Sequence, residues 1–498
     1  MNWLDNLIGW LNPVEGAKRA AYRSYMEELR SYDAGTDARL NAGWRAFNES
    51  AEESDRPYRE IVRARARDLE RNSDVANSVL SAFERNVIGY GYTLKPKTGD
   101  EELDKEIQKQ WKTWCKARNC DVTGMQPFNE MMRMCLRRKK IDGGFLIKKC
   151  IMKGKKIPLQ LQVLEVDELA SYVVGPTHGS GNRTVGGIEY NQYNKIVGYW
   201  IKQYDINGYE TNKATWVDEK DIIYLYSKRR PSQIREMSDM SQSITRIRDT
   251  NEYMTAISVK ERITACLAVF IKKQMPVSTG RINANASNKN EYAGKTIVPG
   301  MIRELNPGDE IQSVNPSGQA TDAQGMIKLH QRMIGAGQGL SYETTSRDMS
   351  QSNYSSARQG AIEDDLTYVS DKDLMKDNVY DEIYESFIIS AYLSGAIQFK
   401  GDFWREKERF LDHEWVKIPK AWIDPQKEAN ANKIALVNGI KTYQQVAAEQ
   451  GKDWKEQISE IAQVLNYGKE LGIDLGGILY GQDESEIFID EDGKTGND

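Results

Sequence analysis

Residues 340–358, with the sequence LSYETTSRDMSQSNYSSAR, form a polar run between two segments whose apolar residues follow helical spacing. The segment before the run predicts a helix because its apolar residues recur at helical intervals. These residues are Met326, Leu329, Met333 and Ile334. Glycines at positions 335, 337 and 339 are expected to end this helix. We therefore expect the polar run to form a loop between two helices.

The segment after the run predicts a much longer helix. Ser352 or Asn353 can cap its N-terminus, and Gly395 provides a stop. At about 1.5 Å per residue this helix is about 60 Å long, far more than a compact domain needs. The step from Val369 to Met375 breaks the apolar register and predicts a bend. The apolar residues expected along one side are Ile362, Leu366, Val369, Met375, Val379, Ile383 and Phe387.

The composition is that of a water-soluble protein with several domains. The chain has 498 residues, of which 39% are hydrophobic and 28% charged, and its length predicts about three domains. Mean hydropathy is -0.66, and the sequence has no apolar run of about 18 residues that would predict a transmembrane helix. The N-terminal sequence MNWLDNLIGWLNP lacks a basic leader and a cleavage site. We expect a short helix that packs on this protein or a neighbouring subunit, with membrane-surface binding as the alternative.

Cysteines and histidines give no pattern for a metal site, and we expect no metal or other cofactor. The cysteines lack CxxC spacing and the histidines lie far apart in the chain, so we expect free thiols and structural histidines. The residues concerned are Cys115, Cys120, Cys135, Cys150, Cys266, His178, His330 and His413.

Motifs of nucleotide-binding and hydrolytic enzymes are also missing from the sequence. The sequence AGKT at residues 293–296 ends like a phosphate-binding P-loop, but Lys289 occupies the position that requires glycine. A second GKT, near the C-terminus, fails in the same way at Phe488. Asp364 and Asp365 are adjacent on the expected helix and point in different directions, so they do not form a metal-binding pair. These observations favour a structural protein over an enzyme.

Charged residues indicate weak rather than tight contact with nucleic acid. The net charge is -5, and neutralising a DNA backbone needs clustered Lys and Arg. A mildly acidic channel wall would nevertheless let a duplex slide. Arg63, Arg67 and Arg71 share a helical face that we expect to be salt-bridged or solvated, with nucleic-acid binding as the alternative. Basic residues 137–140 suit the last turn of a helix, where the dipole favours positive charge.

Six motifs occur in a fixed order along the chain. They are RNSDVANSVLSAFERNVIGYGYTLKP (71–96), WKTWCKARNCDVTG (111–124), RRPSQIR (229–235), LNPGDEI (305–311), NYSSARQG (353–360) and IDPQKEANA (423–431). In number and order these motifs resemble the portal proteins of tailed bacteriophages, in the family typified by phage lambda. That family commonly has glycine where this chain has Glu236, a departure expected to affect only the local turn.

The resemblance implies an α+β portal fold with an α/β wing, two stem helices, a β-containing clip, a long kinked helix and a helical crown. The sequence agrees, since residues 143–226 are β-rich, with Trp200 and Trp216 expected in the core. Helices are expected at 238–269 and 322–338, with strands at 271–273, 296–305 and 310–314 between them.

The implied boundaries are as follows. They are an N-terminal helical segment (1–55), the wing (56–235), stem helix 1 (236–270), the clip (271–321), stem helix 2 (322–340), a tunnel loop (341–353), the long helix and wing return (354–422), the crown (423–480) and a disordered acidic tail (481–498).

The resemblance implies a ring of about twelve copies at one vertex of the phage head. Double-stranded DNA would enter and leave through its channel without sequence preference. Expected partners are the terminase large subunit, the major capsid and scaffolding proteins and the head–tail connector proteins, with no membrane. The protein would belong to the virion and to the host cytoplasm during assembly. The alternatives are a DNA-processing enzyme of the packaging machinery, such as a terminase subunit or nuclease, and a minor structural head protein.

The resemblance also places site residues in three groups, none of them catalytic. Those expected to face DNA in the tunnel loop, through weak exchangeable contacts, are Glu343, Thr344, Thr345, Ser346, Arg347, Asp348, Ser350, Gln351 and Asn353. Those expected to line the stem channel are Arg246, Arg248, Lys260 and Arg262, although the pattern also fits a buried core helix with a charged outer face. Those expected to make contacts in the clip are Lys272, Lys273, Asn283, Asn285 and Lys289.

Overall fold

The computed structural model describes residues 10, 13–15, 18, 47–175, 178–179, 181–205, 207–265, 269–273, 309–313, 323–350, 353–417, 425–452 and 454–473. The chain divides into two compact units, Met1–Pro57 and Tyr58–Asp498. In the first unit, helix α1 (Ala51–Asp55) begins after Ser50. The Ser50 hydroxyl accepts a hydrogen bond from the Glu53 amide, and the Glu53 carboxylate accepts one from the Ser50 amide. This reciprocal cap explains where the helix starts.

The second unit begins with helices around one short strand. These elements are α2 (Arg59–Asn72), α3 (Asp74–Phe83), a π-helical turn (Glu84–Ile88), β1 (Tyr92–Pro96), α4 (Glu101–Trp114), α5 (Ala117–Cys120) and α6 (Phe128–Asp142). The Asp100 carboxylate caps α4 by accepting hydrogen bonds from the Glu102 and Leu103 amides. Ile107 and Trp111 are buried, so one side of α4 packs into the core.

Two antiparallel sheets confirm the β-rich region. Their strands are β2 (Gly144–Ile151), β3 (Leu159–Leu164), β4 (Arg183–Val185), β5 (Ile188–Tyr190), β6 (Ile196–Tyr204), β7 (Glu210–Asp218) and β8 (Ile222–Tyr226). One sheet has the order β3-β2-β8 and the other β4-β5-β6-β7. Trp200 and Trp216 are half-buried, so the prediction that both lie in the core is wrong. Trp216 lies on the edge strand β7, where its ring stacks on His178 with centroids 4.0 Å apart.

The rest of the second unit is mostly helical. Its elements are α7 (Ile244–Ala265), β9 (Val269–Lys273), β10 (Asp309–Ser313), α8 (Ala323–Gln338), α9 (Tyr342–Ser346), α10 (Tyr354–Met375), a second π-helical turn (Lys376–Tyr380), α11 (Asp381–Leu393), α12 (Lys407–Leu411), β11 (His413–Lys417), α13 (Pro425–Val437), α14 (Tyr443–Glu449) and α15 (Trp454–Glu470). β9 pairs with β10, and β11 returns to pair with β1. Helix α7 begins later than predicted because residues 238–243 form hydrogen-bonded turns.

The long helix predicted after the polar run is present. α10, the second π-helical turn and α11 follow one another from Tyr354 to Leu393. Asn353 caps the start, and Gly395, with a φ of +68°, ends the helix in the left-handed conformation. The irregularity predicted before Met375 lies directly after it, as the π-helical turn. Within the described residues, every helix is too short or too polar to cross a bilayer.

The main hydrophobic core joins the first helices of this unit to α11. Phe387 of α11 packs edge-on against Trp111 of α4, with ring centroids 5.0 Å apart. Trp415 of β11 lies 5.5 Å from the same Trp111 ring. A second, smaller core lies at the sheets and includes Leu146 and Ile188. The C-terminal half of the long helix is therefore anchored by aromatic packing.

The two halves of the long helix bury different kinds of side chain. In α11 the predicted apolar residues Ile383 and Phe387 are buried in the core. In α10 the buried residues are Asp364, Tyr368 and Asp371, with Met375 at its C-terminal end. Three predicted apolar residues of α10 lie outside, and we call them the apolar stripe: Ile362, Leu366 and Val369, which are 50%, 67% and 39% exposed. The prediction of one continuous apolar side is therefore wrong.

Candidate functional site

The helix before the polar run ends at a single glycine. Gly339 has a φ of +69°, and the Leu340 amide donates to the Gly335 carbonyl at 2.8 Å, which closes a Schellman cap. Gly335 and Gly337 lie inside α8, so the prediction that they end the helix is wrong. Gly335 permits a close approach, since a Cβ there would lie 2.7 Å from the Leu340 carbonyl oxygen and from the Thr345 hydroxyl oxygen.

The first part of the polar run is a helical turn, α9, and not the loop that we predicted. Thr345, expected to face DNA, is only 1% exposed, and its hydroxyl donates to the Ser341 carbonyl at 2.9 Å. The Thr344 hydroxyl donates to the Asp364 carboxylate at 2.5 Å. The Ser346 hydroxyl donates to a backbone carbonyl of the same turn at 2.8 Å. In this conformation the three hydroxyls are therefore bonded within the chain.

Among the next residues of the run, Arg347, Met349 and Ser350 are exposed and Asp348 is half-buried. Arg347 ends α9 in the left-handed conformation, with a φ of +58°, and its side chain is open to solvent. The Asp348 carboxylate accepts hydrogen bonds from the Ser350 amide at 3.0 Å and the Tyr342 hydroxyl at 3.1 Å. Hydrogen bonds from Ser350 and then Tyr342 lower the pKa of Asp348, which keeps it charged. Arg347 and Asp348 thus place opposite charges side by side at the start of the exposed segment.

The other residues predicted in the loop and the clip are dispersed. The Asn353 side chain caps α10 by accepting a hydrogen bond from the Ser356 amide at 2.8 Å. Glu343 is half-buried in α9. Lys272 and Lys273 lie in strand β9. The predicted residues that lie outside the described parts of the chain are Gln351, Asn283, Asn285 and Lys289.

Helix α7, predicted to line a channel, is exposed beyond its first turns. Arg248 pairs with Glu252 of the same helix at 2.7 Å. The Arg262 guanidinium donates to a backbone carbonyl one turn earlier at 3.3 Å. Arg246 is half-buried and Lys260 is exposed. Exposed apolar residues also occur along α7 and α8, namely Met254, Val259, Met326, Leu329 and Met333.

A buried charge cluster joins three parts of the chain near the start of α7. Lys139 and Lys140 of α6 contact Asp239, which precedes α7, and Asp371 of α10, with N–O distances of 2.6–3.4 Å. Burial alone would raise the pKa of Asp371 and lower that of Lys139, but the opposite charges reverse both shifts. Sequence reasoning explained the lysines by the helix dipole and missed both aspartates. The sequence did contain one indication of Asp371's role, because this residue interrupts the helical spacing of the apolar residues.

A second buried cluster surrounds Glu236. Its carboxylate is fully buried and accepts two hydrogen bonds from Arg235, each 2.8 Å, and one from the Tyr224 hydroxyl at 2.5 Å. Arg63 of α2 lies 3.7 Å away. Burial alone would raise the pKa of Glu236, but Arg235, Arg63 and the Tyr224 hydrogen bond lower it to about 2. Glu236 therefore affects much more than the local turn that we expected.

The predicted arginine face is salt-bridged. Arg63 contacts Asp167 at 3.1 Å. Arg67 contacts Asp142 and Asp167, each at 2.6 Å. Arg71, further along α2, is exposed and lies 3.8 Å from Asp68. Arg63 and Arg67 therefore hold α2 to the end of α6 and to the segment after β3, as the salt-bridged interpretation predicted.

Comparison with known proteins identifies the class of protein. A model of the family described as phage portal protein, lambda family, matches residues 37–370, which is more than half of the chain. The chain therefore belongs to the lambda family of phage portal proteins, and the resemblance found in the sequence is confirmed.

Relatives within this family match most of the chain. It is 22% identical over 458 residues to the probable portal protein of Halomonas phage phiHAP-1, a match that covers 89% of this chain and 88% of that protein. It is 20% identical to portal protein B of Escherichia phage lambda, covering 86% and 89% of the two chains. It is 21% identical to the portal protein of Escherichia phage N15, covering 83% and 85%.

Solved structures from gene transfer agents are also similar. A chain in the neck of an empty particle, determined with C6 symmetry, is 13% identical, with a TM-score of 0.45 and coverage of 78% of this chain and 93% of that one. A chain in the native virion is 10% identical, with a TM-score of 0.42 and coverage of 80% and 99%.

Proposed function

We propose that this portal protein forms a ring of about twelve copies at one vertex of the phage head, with a channel for packaging and ejecting double-stranded DNA. The apolar stripe is the observation that carries the proposal. Its three side chains are exposed on the outside of a helix whose polar side is buried within the same chain. Water disfavours exposing such a stripe, whereas a neighbouring copy in a ring would cover it.

The exposed apolar residues of α7 and α8 support the same arrangement. Met254 and Val259 of α7, and Met326, Leu329 and Met333 of α8, are 40–49% exposed in the single chain. Two adjacent helices with apolar residues on their outer sides can pack against the same helices of the next copy. Repeated around a ring, this contact would produce a tube of stem helices. The half-buried Arg246 and exposed Arg248, Lys260 and Arg262 then lie on or near the channel side.

The proposed ring also suggests roles for the other parts of the chain. Residues 56–235 are the wing and contact the major capsid and scaffolding proteins. The paired strands β9 and β10, between the stem helices, belong to the clip, which docks the terminase large subunit and later the connector proteins. Residues 423–480 form the crown. The buried clusters around Asp371 and Glu236 support this division because they hold the wing, the start of the stem and the long helix in a fixed relation.

Contact with DNA is weak and independent of sequence in this proposal. The chain has a net charge of -5, and each copy exposes Arg347 at the start of the segment that precedes α10. Within this segment, one cation per copy attracts phosphate without neutralising a long stretch of backbone. Hydroxyl and amide groups after Arg347 add exchangeable hydrogen bonds. A duplex surrounded by such a segment can slide.

Removing the apolar stripe tests the ring. The variant Ile362→Ser, Leu366→Ser, Val369→Ser should remain folded but sediment as a monomer, because the expected subunit contact is lost. A matched control replaces three exposed apolar residues elsewhere, Met125, Ile151 and Val174, with serine. Wild type and control should give rings with a central hole in negative-stain images. Rings of the stripe variant, or monomers of the wild type, would contradict the proposal.

A further inference from the structure

We propose that Asp364 is a positioning residue that latches the turn 341–346 to the long helix and thereby sets the length of the connection between that turn and α10. Its importance for DNA rests on the proposed function, in which this loop faces the channel. The latch itself is a property of the single chain and can be tested separately.

Asp364 is a buried carboxylate held by hydrogen bonds alone. It is 4% exposed and accepts hydrogen bonds from the Ser341 amide at 2.6 Å, the Ser341 hydroxyl at 2.8 Å and the Thr344 hydroxyl at 2.5 Å. Within the described residues, no Lys, Arg or His nitrogen lies within salt-bridge distance of it. A buried carboxylate is costly unless such donors satisfy it, so the three bonds form a mutually dependent set. Losing any one donor leaves the buried carboxylate less well satisfied and therefore weakens the other two hydrogen bonds.

A second contact fixes the chain just before the turn 341–346 to α10. The Thr367 hydroxyl, one turn after Asp364 on α10, donates to the Gly339 carbonyl at 2.6 Å. Thr345 is buried against Gly335, where no side chain could be accommodated without a shift. The chain from Gly339 to Thr345 is therefore fixed both to α10 and to the end of α8. Asp348, by contrast, bonds within the run itself, where its carboxylate accepts hydrogen bonds from the Tyr342 hydroxyl and the Ser350 amide.

The latch determines how far the loop can reach. With the turn fixed, the connection to α10 starts after Ser346, and a chain of the length of residues 347–352 spans at most about 20 Å when extended. With the turn released, the connection starts at Ser341, and a chain of the length of residues 341–352 spans at most about 40 Å. Arg347 would then leave its left-handed position at the end of α9, and its charge would no longer be held at a defined place. Asp364 thus decides where the exposed cation of Arg347 lies in each copy.

Asp364→Asn tests the latch because it preserves the size of the side chain but removes its charge and one acceptor. Glu363→Gln is the matched control, since Glu363 is the preceding residue, is exposed and lies outside the latch. The measurement on the assembled protein is hydrogen exchange of the amides of residues 342–347, together with the rate of tryptic cleavage after Arg347. We expect Asp364→Asn to raise both rates about tenfold to a hundredfold, and Glu363→Gln to leave them unchanged.

Thr344 provides a second route in case Asp364→Asn does not fold. Thr344→Val removes the donated hydrogen bond at nearly constant shape and should raise the same rates, whereas Thr344→Ser should restore wild-type rates because it keeps the hydroxyl. A merely structural role would lower global stability without this selective local change. Equal rates in Asp364→Asn, Thr344→Val and Glu363→Gln would overturn the latch.

DNA content separates the latch from the proposed function. Heads assembled with Asp364→Asn should retain less DNA than heads with Glu363→Gln. Selective loosening of residues 342–347 supports the latch whatever the DNA content. Unchanged DNA content in a loosened variant would count against the DNA-facing role of the loop and not against the latch.

Discussion

The two halves of the long helix differ in the kind of side chain that they bury. In α11 most apolar residues are buried, and Phe387 packs against the rings of Trp111 and Trp114. In α10 the buried face carries Asp364 and Asp371, which are satisfied by hydrogen bonds and lysines, while the apolar stripe is exposed. An apolar pattern on a helix thus does not by itself show that its apolar side packs on its own chain. Three substitutions, in order of expected effect, test this difference.

Phe387→Ala should have the largest effect on the unassembled chain. Because Phe387 is fully buried in the aromatic core, we expect a loss of about 3–5 kcal/mol in the free energy of unfolding. Leu393→Ala, at the exposed end of α11, is the control and should cost less than about 0.5 kcal/mol. Urea unfolding followed by circular dichroism measures both. A similar small loss in both variants would mean that α11 does not depend on this core.

Asp371→Asn should be the next most costly change. It leaves Lys139 and Lys140 buried with only Asp239, and we expect a loss of about 3 kcal/mol in the free energy of unfolding. Asp373→Asn, two residues away and exposed, is the control.

The pH dependence of this effect follows from the lowered pKa of Asp371. Because the pKa lies below the usual 3.8 in the folded chain, the stabilisation is fully present above that value and is lost as the pH falls through the folded pKa. The difference in unfolding free energy between wild type and Asp371→Asn should therefore be constant from about pH 5 to pH 8 and shrink below about pH 3.8. A difference that grows on acidification would contradict the ion cluster.

Leu366→Ala should have the smallest effect on the unassembled chain. Leu366 is exposed, so we expect a change below about 0.5 kcal/mol in the free energy of unfolding. Ring assembly, measured by sedimentation against protein concentration, should nevertheless require a higher concentration than in wild type. A loss above about 2 kcal/mol in the monomer would show that the stripe packs within its own chain after all.

Sequence reasoning worked where the partner of a residue lies nearby in the chain. The Asn353 cap, the stop at Gly395 and the paired strands between α7 and α8 depend on local backbone chemistry or on strong patterns. It failed where the partner is distant, since nothing near Asp371 or Lys139 in the sequence reveals that their side chains meet. The prediction that Thr345 faces DNA failed for the same reason, because Thr345 is buried by the close approach of its turn to Gly335.

The family itself was recognisable from motifs without any of these contacts. The exposure of the apolar stripe of α10 was not recognisable from the sequence, because helical spacing assigns apolar residues to the buried side of a helix. Only the positions of Asp364 and Asp371 relative to the rest of the chain reveal that the polar side faces inward.

The π-helical turn at Lys376–Tyr380 has a consequence for how this rod tolerates insertions and deletions. A π-helical turn accommodates one residue more than an α-helical turn, and each residue of an α-helix rotates the next side chain by about 100°. Deleting one residue within this turn would therefore restore an unbroken α-helix and leave the faces of α10 and α11 nearly unchanged relative to one another. Deleting one residue of α10 itself, between the stripe and this turn, would instead rotate the stripe by about 100° relative to α11. The π-helical turn is thus the place where this long helix can lose a residue with the least change in the direction of its exposed stripe.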